Sequence, residues 1–205
     1  MIQEMGRMDS LNQFPPHFGT LRFAAANLVG QKGKVLAIEP DMWLVNILRK
    51  SSQLKTNIHL CVDVLPVAVS DSVGIAKFNI AKRGRAANYL NNCDGSSQTG
   101  GIREIQLVPT VSLDWLLDKY AVPNIIKIDV EGAEYLVLKG AEKMLSEVKP
   151  IILCEVSSNL IEDVSDILKK HGYSLYDAEL EKENRKLLSS AVWHTLAYPP
   201  SHAQI

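Results

Sequence analysis

The chain has 205 residues, 46% hydrophobic and 22% charged, enough for one α/β domain with a real core and too few for two comfortable ones. That balance excludes a disordered, collagen-like or coiled-coil protein. With 22 basic against 23 acidic residues the net charge is −1, so no broad field points to nucleic acid or an anionic membrane as partner. Cys61, Cys93 and Cys154 are odd in number and widely spaced, which supports neither a disulfide framework nor a zinc knuckle and fits a reducing, cytoplasmic setting. Glu4, Arg7, Asp9 and two prolines stand where a signal peptide needs an apolar stretch. No run of 18 apolar residues occurs, so neither secretion nor a membrane span is expected.

Residues 20–29 carry Leu21, Ala24, Ala25 and Leu28 at helical spacing, with Gly30 placed to end the helix. The apolar run 34–38 reads as a buried strand leading through Glu39, Pro40 and Asp41 into a helix over 41–53, with Met42, Val45 and Leu48 on one face. Residues 57–61 and 64–69 are strand-like. A turn at 71–74 is expected to join them as a hairpin to a strand at 75–80. Residues 91–101, polar and small, read as a long surface loop. A strand at 107–111 precedes Ser112, a fitting N-cap for the amphipathic run LDWLLDKY. Two βα units follow: strand 124–128 with helix 133–146, and strand 150–154 with helix 157–171 closed by Gly172 as C′. Residues 173–176 and 193–198 suggest an antiparallel closing pair. Strands alternating with helices imply an α/β fold with a mainly parallel sheet covered on both faces.

In such sheets ligands sit beyond the carboxyl ends of the strands. Three strands here end on an acid: Glu39, Asp129 and Glu155. Glu39 follows Gly19 by twenty residues, the separation expected between a glycine turn and an acid that grips a ribose, although a glutamate at a helix start is also favourable with the macrodipole alone. Asp129 terminates its strand and should face the crevice. Glu131 and Glu134 can serve as helix N-terminal acids, with Gly132 permitting the tight turn. Asp129 and Glu155 can converge as a base and orienting acid, or hold Mg²⁺; Glu155 alternatively only accepts hydrogen bonds from the following turn, and a metal site is not expected. His171 reads as a helix C-terminal cation and His194 as a packed or edge residue, while Cys61 and Cys154 read as small core residues.

The segment KIDVEGAEYLVLKGA within residues 126–141 resembles the hallmark of the FkbM-type family of S-adenosylmethionine-dependent methyltransferases. The resemblance extends to Val35 through Pro40, to Ala68-Val69-Ser70-Asp71 with Gly74 and Phe78, to Val111 through Asp114, and to Pro150 through Glu155. It implies a Rossmann-like class I fold over 19–198, with an irregular segment at 1–18 and a tail at 199–205. The implied cofactor is S-adenosylmethionine. The implied acceptor is a hydroxyl of a small metabolite or sugar. Carried over by position, Gly19 and Glu39 bind the cofactor, Glu39 at the ribose, while Ala68, Val69 and Asp71 border the adenine. Glu131 lies at an acidic lip suited to the sulfonium. Asp129 faces methyl transfer, helped by Glu155. The family's glycine-rich loop reads here as Gln13-Phe14-Pro15-Pro16-His17-Phe18-Gly19 and keeps only its last glycine. Nothing in residues 1–12 looks like the strand that should precede it, so either the N-terminal residues fill the gap differently or the reading frame is shortened or altered there. A relic that has lost its cofactor loop is the competing expectation. A nicotinamide-dependent dehydrogenase would share Glu39 but needs the absent GxGxxG.

Overall fold

The computed structural model describes residues 2–5, 20–30, 32–95 and 99–200. The strands are β1 (Ile2–Met5), β2 (Lys34–Ile38), β3 (Val62–Leu65), β4 (Ala68–Val69), β5 (Gly74–Ala81), β6 (Tyr89–Leu90), β7 (Ile102–Val111), β8 (Ile125–Ile128), β9 (Ile151–Glu155), β10 (Ser174–Asp177) and β11 (His194–Tyr198). The α-helices are α1 (Thr20–Val29), α2 (Met42–Ser52), α3 (Leu113–Leu117), α4 (Glu134–Lys139) and α5 (Ile161–Lys170). Among the described residues no helix is long and apolar enough to cross a membrane.

Seven strands form one sheet in the order β10-β11-β9-β8-β1-β2-β3, and four form a second in the order β4-β7-β5-β6. The expectation of a mainly parallel sheet is corrected here. β2 pairs with β3 and β8 with β9 in parallel, but β1 runs antiparallel to both its neighbours, as does β11. The second sheet is mixed as well, β4 being parallel and β5 antiparallel to β7. The gap expected between β2 and β8 holds a strand of four residues, β1, inside the stretch read as irregular. An empty slot would leave the facing backbone groups of β2 and β8 unpaired. Gln13 through Gly19, including Pro15, Pro16 and the predicted cofactor residue Gly19, lie outside the described residues.

Alternation along the central strands sorts the core onto two faces. Leu36, Ile38, Ile126, Ile128, Ile152 and Cys154 pack with Val137, Leu138, Leu145, Val164 and Leu168 of the helical layer. On the opposite face Val35 packs with Ala25 and Ala26 of α1. The chain end of α5 is fixed by a Schellman motif: Tyr173 N donates to Leu168 O at 3.1 Å and Gly172 N to Lys169 O at 2.8 Å, with Gly172 left-handed at φ +82°.

Other expectations are adjusted by local chemistry. Residues 57–61 form turns instead of a strand, with Ile58 N donating to Leu54 O and Leu60 N to Asn57 O. Cys61 is exposed, whereas Cys154 is buried. The stretch 64–69 is interrupted at Pro66, which has no N–H for a ladder, and the hairpin across 71–74 does not form because β4 and β5 both pair with β7. Met42 is 46% exposed, so only Val45 and Leu48 of its expected face are buried. The helix expected over 133–146 breaks at Gly140, where a side chain would meet Ser70 O at 2.4 Å. A new turn then starts at Lys143 and Met144, whose N–H groups donate to Asp114 at 2.9 and 2.8 Å.

Candidate active site

The carboxyl ends of the central strands form one row. Ala37 of β2 and Lys127 of β8 both lie opposite Ile2 of β1. Two residues further along each strand, Glu39 and Asp129 therefore stand at one level, two strand spacings or about 10 Å apart. The parallel β8–β9 register puts Asp129 level with Glu155, and Glu155 lies opposite His194 of β11. Four strands thus present Glu39, Asp129, Glu155 and His194 along a single edge.

Lys127 organises the centre of that row. Its Nζ donates to Asp129 Oδ2 and to Glu155 Oε1, each at 2.7 Å, with all three side chains largely buried. Burial alone would lower the lysine pKa; the two carboxylates outweigh it and raise the value, so the ammonium is retained. Beyond Glu155, His194 Nε2 approaches Glu155 Oε2 at 3.8 Å while its Nδ1 contacts Glu179 Oε1 at 2.7 Å. His194 is thus part of the edge and not merely a packed strand residue.

The loop after β8 is built under constraint. Glu131 adopts a left-handed φ of +48°, unusual for a residue with a side chain, and Gly132 follows at φ +88°. A Cβ on Gly132 would sit 2.3 Å from Asp94 O, so the segment 91–95 presses directly on this loop and only glycine fits. The buried carboxylate of Glu134 accepts from Gly132 N at 2.9 Å and closes the turn. Burial pushes the Glu134 pKa up, opposed by the hydrogen bonds it accepts. Partial burial, then the charges of Asp129, Glu134 and Glu155, push the Glu131 carboxyl up to about 7. Cys93 on the overlying segment is raised to about 11 by burial and by Glu134 and Asp94.

At the other end of the row Glu39 N donates to Leu65 O at 3.1 Å, and Glu39 Oε1 accepts from Asp41 N at 3.0 Å. Asp41 is fully buried and caps α2 by accepting from Trp43 N at 2.9 Å. Its second oxygen is paired with Arg85 and accepts from Asn88 Nδ2 at 2.8 Å. The Arg85 guanidinium lies 4.7 Å from the Trp43 ring centroid. Asp41 thereby ties the Glu39 corner to the 85–88 segment.

Of the residues singled out from sequence, the fold brings Glu39, Asp129, Glu131 and Glu155 to one edge. Ala68 and Val69 are buried in β4, and Asp71 pairs with Lys139 at the last turn of α4, 2.9 Å away. Lys127, Asp41, Arg85 and Asn88 were missed. The one signal for Lys127 is a lysine in an otherwise β-branched strand, two residues before Asp129, a spacing that puts both side chains on one face. Arg85 and Asn88 lie in a polar stretch that gives no periodic cue.

The sequence model described as "Methyltransferase FkbM domain" matches residues 12–175. Hexuronic acid methyltransferase AglP of Haloferax volcanii is 26% identical over 187 residues, covering 90% of this chain and 70% of that protein. The crystal structure of methyltransferase FkbM from Methylobacillus flagellatus KT is similar at a TM-score of 0.46 and 19% identity, over 80% of this chain. This chain spans only 36% of that solved chain.

Proposed function

Because the chain belongs to the FkbM methyltransferase family, we propose that it transfers a methyl group from S-adenosylmethionine to a hydroxyl oxygen of a small metabolite or sugar. In this reading the domain is a Rossmann-like methyltransferase domain spanning 19–198. Bound S-adenosylmethionine supplies an electrophilic methyl group on a cationic sulfonium. The side chains along the edge fit such a molecule. Among the described residues, Glu39, Asp129, Glu131 and Glu155 bring carboxylates to one edge with Lys127 bonded to two of them, an acidic setting that suits a cation, and a carboxylate can accept both hydroxyls of a ribose at once.

Glu39 takes the ribose, held in orientation by the Asp41 N–H. The segment through Ala68, Val69 and Asp71 walls the adenine side, fastened to α4 by the Asp71–Lys139 pair. Gly19 is assigned to the donor by family position alone. Asp129 and Glu155, fixed by Lys127, set the field in which the acceptor oxygen is oriented, and alignment at about 3–3.5 Å supplies most of the rate. The common level of Glu39 and Asp129 carries this reading.

The relative's name makes a hexuronic acid, free or within a glycan, the acceptor to try first. The test is incubation with methyl-labelled S-adenosylmethionine and a panel of uronic acids, neutral sugars and hydroxylated metabolites. Label in a methyl ether, lost in Asp129→Asn, supports the reading. Absence of label from all acceptors, with a cooperatively melting protein that binds no donor, favours the relic instead.

A further inference from the structure

Resting on the methyl-transfer reading, we propose that Glu131 is the proton acceptor for the acceptor hydroxyl, and that Asp129 and Glu155 are not. The O–H bond of the acceptor breaks, its proton forms the O–H bond of the Glu131 carboxylic acid, and the electron pair stays on the oxygen as the nucleophile. The acid later returns its proton to water.

The argument begins with the competing groups. Asp129 and Glu155 each spend an oxygen on the Lys127 ammonium at 2.7 Å, so that oxygen is already engaged and is not turned to an acceptor hydroxyl. Glu134 is 1% exposed and bonded to Gly132 N, out of reach of an acceptor. Glu131 differs from all three. Its side chain is only partly buried, and no hydrogen bond or ion pair to its carboxyl occurs among the described residues. Its backbone is held at φ +48° by a loop that Asp94 O packs against. A residue with a side chain held in the left-handed region by the surrounding structure is of the kind that clusters at functional sites.

The charged and titratable groups around it are Asp129 and Glu134 from its own segment, Lys127 from β8, Glu155 from β9, and Cys93 and Asp94 from the overlying segment. Partial burial first, and then the carboxylates among them, make proton uptake by Glu131 favourable, bringing it to about 7, where a general base is most effective. His194 is the remaining rival, its Nδ1 held by Glu179.

The decisive experiment compares wild type with Glu131→Gln, Glu131→Asp and His194→Gln. In the protein without donor, carbon-13 carboxyl titration should show one glutamate with a midpoint near 7 that disappears in Glu131→Gln; only ordinary midpoints would overturn the proposal. With donor and acceptor, Glu131→Gln should lower kcat by about 10²–10⁴-fold and abolish the acidic limb of the rate profile. Glu131→Asp should restore part of the rate. A larger loss in His194→Gln than in Glu131→Gln, or a base-labile methyl ester as product, overturns it as well. In a wild-type protein that transfers no methyl group the methyl-transfer reading itself fails, and the carboxyl titration still decides whether Glu131 is poised to take a proton.

Discussion

Replacing Lys127 by methionine removes the charge that holds Asp129 and Glu155 together while keeping most of the apolar stem. Both oxygens lie 2.7 Å from its Nζ, so they are no farther from each other than twice that distance. The side chains are only 14–22% exposed, so water cannot replace the ammonium fully. Removing one partner of a buried pair costs about 3–5 kcal/mol; the residual exposure reduces the expected cost to about 2–3 kcal/mol. For a domain of this size that lowers Tm by roughly 5–10 °C.

The pH dependence follows from linkage. Without the ammonium, the negative charges of Asp129, Glu131 and Glu155 face one another uncompensated in the folded protein, a repulsion that proton uptake relieves and that the unfolded chain lacks. Such acids bind protons more tightly when folded, and stability returns as pH falls. Lys127 itself, raised in the wild type, titrates only at alkaline pH and does not enter this window. Urea unfolding at pH 8 and pH 5 should therefore show a larger deficit at pH 8. A deficit under about 0.5 kcal/mol at pH 8, or an equal deficit at both pH values, would refute the assignment of Lys127 as the clamp.

Glu131→Gln should stabilise the protein at alkaline pH. An acid raised from 4.5 to about 7 is most stabilising below its unfolded value and loses that contribution as pH rises through the folded value. After discounting for its partial exposure, urea midpoints should show a gain of about 1–2 kcal/mol at pH 8 and little at pH 5; equal effects at both pH values would contradict this. Asp41→Ala removes the α2 cap and strands Arg85 and Asn88, and should cost about 3–4 kcal/mol in thermal unfolding. Asp41→Asn keeps the cap and should lose about half as much; a loss as large as that of alanine would show that the cap contributes little.

Much of the fold was legible where a local signal decided the outcome. Ser112 caps α3 as read, its side chain accepting from Trp115 N at 3.1 Å, and the two βα units at β8 and β9 pair in parallel as their β-branched runs suggested. Signals failed where a distant partner ruled. Nothing local announces that Asp114 will cap a turn 29 residues later, or that β4 and β5 will share β7. The four residues of β1 are too short to display a period, so their insertion between β2 and β8 could not be read. The acids of the edge were found because each ends a strand. The convergence of Asp129 and Glu155 was expected from their adjacent βα units, but the common level of Glu39 and Asp129 was not, because it depends on register transmitted through β1. Lys127 stayed hidden for a related reason: an interior lysine acquires its role only when β9 brings Glu155 alongside.

Isothermal calorimetry with S-adenosylmethionine on wild type and Glu39→Ala tests the central claim most directly. Saturable one-to-one binding in the wild type, weakened at least about tenfold by loss of a charge-assisted ribose contact, is the expected result. Equal affinity in the two proteins would contradict the assignment of Glu39, and no binding to a folded wild type would contradict the donor site itself.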